Sequence, residues 1–109
     1  MQKEEMIETT KSVSDKIIRL TVKQWLHIIE SHDYLAGNMS KIMETVNSPD
    51  YIVKGLKNEL IAIKYYAQTN ITKKHCVVVY KENEDGYIIT AFLTSKPQTI
   101  RKGGVIWRK

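Results

Sequence analysis

Apolar residues follow two different rhythms along this chain. Through residues 21–47 they recur every three or four positions, and from residue 51 onward they recur every two. Just before the first rhythm, Ile17, Ile18 and Leu20 are β-type residues that predict a short strand over 16–20, running straight into a helix over 21–33. Thr21 and Gln24 have the spacing of a capping box, in which the hydroxyl takes one free amide and the side-chain amide reaches back to another. At about 100° per residue, Val22, Trp25, Ile28, Ile29 and His32 form one stripe, with Leu26 at its margin and His27 on the far side. Gly37 and Asn38 then break the chain. Asn38 or Ser40 can cap a second helix over 39–47, whose apolar positions are Met39, Ile42, Met43 and Val46 and which Pro49 stops.

The second rhythm predicts strands. Residues 51–53 suit an edge strand. Residues 59–67 alternate cleanly, with Ile61, Ile63 and Tyr65 on one face and Ala62, Lys64 and Tyr66 on the other. After a polar loop, residues 75–81 are nearly all apolar, which suits a central strand covered on both faces. The turn before Gly86 contains Asp85-Gly86, a pair that favours positive φ and a hairpin. Residues 87–95 should return antiparallel, with Ile88, Thr90, Phe92 and Thr94 sharing a face, and a last short strand follows at 105–107. Residues 1–15 are mostly polar and predict a loosely docked helix or a flexible arm. The expectation is an N-terminal arm followed by a single domain over 16–109. Its class is α+β, with two helices packed on an antiparallel sheet and Trp25, Ile29, Ile42, Val46, Ile61, Ile63, Val77 and Val79 mainly buried.

Composition adds limits. The 109 residues allow one core, and 42% hydrophobic with 27% charged residues describes an ordinary globular chain. No apolar run approaches the roughly 20 residues of a membrane span, and the acidic start has no apolar signal core, so a cytoplasmic protein without a membrane partner is expected. The single cysteine, Cys76, has no partner for an internal disulfide and reads as a small buried hydrophobe. The net charge of +5 is uneven. Residues 1–95 balance twelve basic against twelve acidic residues, while the last fourteen hold Lys96, Arg101, Lys102, Arg108 and Lys109 with no acid. A basic segment of this kind is a footprint for phosphate, and a solvated tail that aids solubility is the competing reading.

The histidines carry the chemistry. His27 and His32 stand about 140° apart around the helix, so they cannot clamp one ion, and no metal or cofactor is expected. What remains suits metal-free RNA cleavage. That reaction needs a base for the 2′-hydroxyl proton, an acid for the leaving 5′-oxygen, and donors for the charge that develops on phosphate. Imidazole fits the first two roles, and Lys, Arg, Thr and Tyr fit the third. The candidates are His32, His27, Thr90, Lys64 and Tyr66 for catalysis, with Thr94, Lys96, Arg101, Lys102 and Arg108 holding RNA. His32 leads, because it lies on the inward stripe near the helix end, where Asp33 and Tyr34 can orient its ring.

The strand, Thr21, the helix with Trp25, and then His27-Ile28 and His32 resemble the phage-associated branch of the barnase–EndoU–colicin–RelE-like (BECR) nuclease superfamily. Ile42 to Val46 with Pro49-Asp50 looks like the family's second helix and exit, and Val77 to Tyr80 with Tyr87 to Phe92 looks like its central hairpin. The likeness covers roughly residues 16–107. One departure is that His32-Asp33-Tyr34 stands where the family usually has His, Pro and an acid. The resemblance implies a small nuclease fold, often a toxin held by an antitoxin, that uses His from the helix and polar residues from the sheet. Three functions stay open: a metal-independent RNase or tRNase toxin with an acidic antitoxin partner, a non-catalytic RNA-binding domain, and a protein-interaction module.

The tail makes a first prediction. Removing the charges of Arg101, Lys102, Arg108 and Lys109 should weaken RNA binding and flatten its salt dependence, by up to about 0.7 in log–log slope per lost single-strand phosphate contact. A titration at several salt concentrations measures this, and an unchanged slope marks the tail as merely solvated.

Overall fold

The computed structural model describes residues 5–83 and 85–109, the side chains of Arg101 and Lys102 excepted. In chain order the elements are β1 (Met6–Lys11), β2 (Ile17–Thr21), α1 (Val22–Ser31), a 3₁₀ turn (Asp33–Leu35), α2 (Met39–Asn47), β3 (Tyr51–Lys54), β4 (Leu60–Tyr65), β5 (His75–Lys81), β6 (Tyr87–Thr94), a 3₁₀ segment (Pro97–Gly103) and β7 (Val105–Arg108). Among the described residues, seven strands form one sheet in the order β1-β2-β6-β5-β4-β3-β7.

The class is α+β, as the two rhythms predict, but the sheet is larger than expected and it is mixed. β2 runs parallel to β6, bridged at Arg19 and Tyr87, whereas the other neighbours are antiparallel. Residues 6–11, expected as a helix or arm, form β1 and pair with β2. Ile7, Thr9 and Thr10 are β-branched and suit a strand. β1 is nevertheless exposed along most of its length, so no apolar alternation marks it in the sequence. The basic tail is also built into the fold, as the segment 97–103 and edge strand β7, which pairs with β3.

Thr21 caps α1, its Oγ1 accepting the Gln24 N–H at 3.1 Å. The reciprocal half of the capping box is not made, because the Gln24 amide donates to the Ile89 carbonyl on β6 instead. Both helices pack on one face of the sheet. There Trp25, Ile28, Ile42 and Val46 meet Ile18, Leu20, Ala62, Val78, Tyr80, Ala91 and Leu93. The second face has a smaller core of Val53, Ile63 and Val77, backed by Tyr51, Ile61, Phe92, Ile100 and Val105. Of the expected core, Trp25, Ile42, Val46, Ile63 and Val77 are buried, while Ile29, Ile61 and Val79 are half-buried.

A bulge in β6 corrects the expected strand parity. Val79 pairs with Thr90 but Tyr80 pairs with Ile88, so Ile89 is an extra residue and the alternation shifts there. Ile88 therefore joins the helix-side core, while Thr90, Phe92 and Thr94 face the other way. Gly86 also serves a purpose other than the expected one. Among the described glycines, positive φ is found at Gly104. At Gly86 a Cβ would stand 2.3 Å from the Ile17 carbonyl oxygen, at the approach where Arg19 N–H bonds the Gly86 carbonyl at 3.0 Å. Gly86→Ala is predicted to cost on the order of 1–3 kcal/mol by forcing β2 and β6 apart, whereas Gly37→Ala, with nothing within 4 Å, should be near neutral. Urea unfolding midpoints of the two variants check this pair.

Candidate functional site

β6 meets β2 only at its first residue, so most of its outer edge has no strand beside it among the described residues. Side chains from α1 and the turn after it take the strand's place. Gln24 donates to the Ile89 carbonyl, and the Tyr34 hydroxyl accepts the Leu93 N–H at 3.0 Å. His32 lies between these two anchors as the C-cap of α1, its own N–H bonded to the Ile28 carbonyl at 2.8 Å. Its ring reaches round the edge, with its centroid 5.9 Å from that of Phe92 on the second face. Tyr34 stands on the other side, its hydroxyl 3.4 Å from His32 Nδ1, and the tautomer decides which group donates.

Phe92 leads to the rest of the face through the strand register. Thr90 and Thr94, both half-buried, flank it along β6. Across β5, Val77 lies opposite Phe92 and His75 opposite Thr94. Tyr65 of β4 pairs with His75, their rings 5.2 Å apart, and Tyr51 of β3 pairs with Arg108 of β7, whose guanidinium carbon is 5.9 Å from the ring centroid. His75 is half-buried, and its Nδ1 is buried without a hydrogen-bond partner among the described residues.

His32, Thr90 and Thr94 thus share a face with His75 and Tyr65, two residues outside the catalytic set that the sequence suggests. His75 had a signal in the sequence, since it is in phase with Val77 and Val79 and so shares their face. Lys64 and Tyr66 go elsewhere. Lys64 stands opposite Cys76, and its Nζ donates to the Ser48 carbonyl at 2.8 Å. The Tyr66 hydroxyl donates to Glu44 Oε1 at 2.6 Å, with Lys41 Nζ 5.6 Å from the ring centroid. Burial, and then the Glu44 hydrogen bond, hold the Tyr66 phenol far above its ordinary pKa, so it stays neutral. Both residues lie on the helix side, because Ala62, Lys64 and Tyr66 are one residue out of phase with Ile63 and Tyr65.

His27 is exposed on α1. Lys96 is exposed just past β6, its N–H bonded to Thr94 Oγ1 at 3.0 Å. The side chains of Arg101 and Lys102 lie outside the described residues. Cys76 is fully buried and its thiol is pushed up to about 11, chiefly by that burial, so it is a protonated core side chain at neutral pH. Among the described residues no three His, Cys, Asp or Glu side chains come together as metal ligands, and no helix is long and apolar enough to cross a membrane. A groove of about 610 Å³ lies between the β3–β4 turn and the segment 97–103, lined by Leu56, Ile61, Thr99 and Ile100 among others. No histidine lines it.

No protein-family model matches the chain, and no curated protein or solved structure matches it.

Tyr34 holds both the β6 edge and the His32 ring. Tyr34→Phe keeps the ring but removes the acceptor of the Leu93 N–H, and should cost about 1–3 kcal/mol of stability. Amide exchange at Leu93 should speed up by more than at the β5 amides on the far side of β6. Unchanged exchange at Leu93 would show that the bond contributes nothing.

Proposed function

We propose that this chain is a metal-independent endoribonuclease of the BECR, RelE-like type, acting as a toxin. The observation that carries the proposal is that two imidazoles, His32 and His75, stand on either side of Phe92 on one sheet face, with the Thr94 hydroxyl position beside them. His75 and Phe92 are diagonal neighbours across β5 and β6, about 7–8 Å apart in such a ladder. The likeness of residues 16–107 to the superfamily supports the same reading.

The reaction follows from these parts. One histidine takes the proton of a ribose 2′-hydroxyl, and that oxygen attacks the adjacent phosphorus. The bond from phosphorus to the 5′-oxygen breaks, and the other histidine protonates that oxygen as it leaves. The products are a 2′,3′-cyclic phosphate and a 5′-hydroxyl. Thr90 and Thr94 offer hydroxyl donors to the phosphate oxygens, and Lys96 adds charge that stabilises the negative phosphorane. Tyr34 orients His32, and Lys64 and Tyr66 brace α2 against the sheet. An antitoxin with an acidic surface would block this face by covering its cations.

The test is cleavage of bulk RNA by the purified protein with EDTA present, followed by mapping of the cut ends. His32→Ala should lower the rate by about two to four powers of ten, the usual worth of one acid–base group. His75→Ala should have a comparable effect, and Thr94→Val a smaller one. A thermal melt of each variant separates lost chemistry from lost folding. If folded His32→Ala stays fully active, His32 is excluded and His27 becomes the candidate. If the wild type cuts no RNA and does not arrest growth on expression, the enzyme reading falls and a binding module of the same fold replaces it.

A further inference from the structure

The end of the sheet that carries both histidines also carries its most accessible aromatic surface. β4 ends here at Tyr65, β5 begins at His75, β6 ends at Thr94, β3 begins at Tyr51 and β7 ends at Arg108. Tyr65 is 52% exposed, against 38% for Tyr87 at the far end of β6, while Tyr51, Tyr80, Phe92 and Trp107 are buried or half-buried. Its backbone is pinned, because the Tyr65 N–H donates to Asp50 Oδ2 at 2.8 Å. One side of its ring region is taken by His75, at 5.2 Å and a tilt of 54°. The register places Tyr51 and Tyr65 as diagonal neighbours across β3 and β4, so two aromatic rings, each beside a cationic or imidazole partner, follow one another across the face.

Basic residues also gather at this end of the strands. The strand ends and loops on this side hold Lys73, Lys74, Lys96, Arg108 and Lys109. Acids at this end include Asp33, beside His32, Asp50, whose carboxylate accepts the Tyr65 N–H, and Glu44, which accepts the Tyr66 hydroxyl on the helix side. The opposite end is mixed: Glu82 and Asp85 of the β5–β6 turn lie with Lys16, Lys54, Lys57 and Lys81, and Asp85 pairs with Arg19 at 3.5 Å. An RNA duplex shows a protein its backbone and a shallow groove, and offers no base faces to exposed rings. An unpaired strand offers both bases for stacking and phosphates for the lysines.

We propose that Tyr65, with His75 against its ring, is a stacking platform for an unpaired base, so that the substrate class is single-stranded RNA fed across the sheet toward Phe92 and His32. This deepens the nuclease reading and rests on it for the direction of feed, but the binding itself can be measured without cleavage. The base stacks on Tyr65, and the flanking lysines hold the backbone.

The probe is a short, fluorescently labelled 2′-O-methyl oligoribonucleotide, which lacks the nucleophilic hydroxyl and cannot be cut. Anisotropy should show the wild type binding it as a single strand more tightly than as a duplex of the same sequence. Tyr65→Ala should weaken single-strand binding by about 5- to 150-fold, the worth of one stacked base, with little change in salt slope. Tyr65→Phe should bind like the wild type. Equal affinity for duplex and single strand overturns the proposal, and so does a folded Tyr65→Ala variant with unchanged affinity. Loss of self-association in Tyr65→Ala without any RNA binding also overturns it, in favour of a contact between copies. Tyr65-dependent binding in a wild type that cuts no RNA supports the platform while removing the nuclease reading, so the two failures are distinct.

Discussion

The rest of the structure depends on how the outer edge of β6 is satisfied. An open strand edge inside a fold leaves N–H and C=O groups that lose water and must find partners. β2 supplies a partner only at the start of β6. Beyond that point Gln24 and Tyr34 provide the hydrogen bonds a further strand would have made. This fastens α1 along the edge, and the helix end therefore delivers His32 to the rim of the sheet instead of to the helix-side core. A Gln with the spacing of a capping box is used for a tertiary contact, because an unpaired carbonyl at a bulge is the more demanding acceptor.

The two faces then divide the work. On the helix side, polar groups are spent on cohesion: Thr45 bonds the Lys41 carbonyl at 2.7 Å, Tyr66 bonds Glu44, and Lys64 reaches Ser48. Those side chains hold α2. The second face is covered in part by the segment 97–103, through Ile100, and its other end keeps its histidines, threonines and Tyr65 within reach of solvent. The bulge at Ile89 makes this division possible. It lets β6 bury Ile88 on one side and present Thr90, Phe92 and Thr94 on the other, which strict alternation would forbid.

Charge follows the topology. The basic C-terminal stretch reads as a unit in the sequence, but the chain crosses the sheet within it. Lys96 lies where β6 ends, and Arg108 and Lys109 lie where β7 ends, next to the first residue of β3. Lys73 and Lys74, far from the tail in sequence, arrive at the same end from the β4–β5 loop. A basic end of the sheet is therefore assembled from separate segments.

Local sequence by itself determined the elements. Helical spacing placed α1 and α2, alternation placed β4, and the nearly unbroken apolar run placed β5, because each pattern records the side that one segment buries. It also set the acid–base inventory and the inward stripe that ends at His32. Tertiary structure decided what depends on pairing between distant segments. β1 is exposed, so its partner and not its own pattern makes it a strand. The parallel β2–β6 contact rests on a glycine chosen for close approach, which looks in the sequence like a turn glycine. The bulge reversed the parity of Ile88, and the register brought His75 opposite Thr94 and so onto the face of His32. A period in sequence tells which side of an element is buried. It does not tell which element lies beside it, and at this site the chemistry is assembled from neighbours.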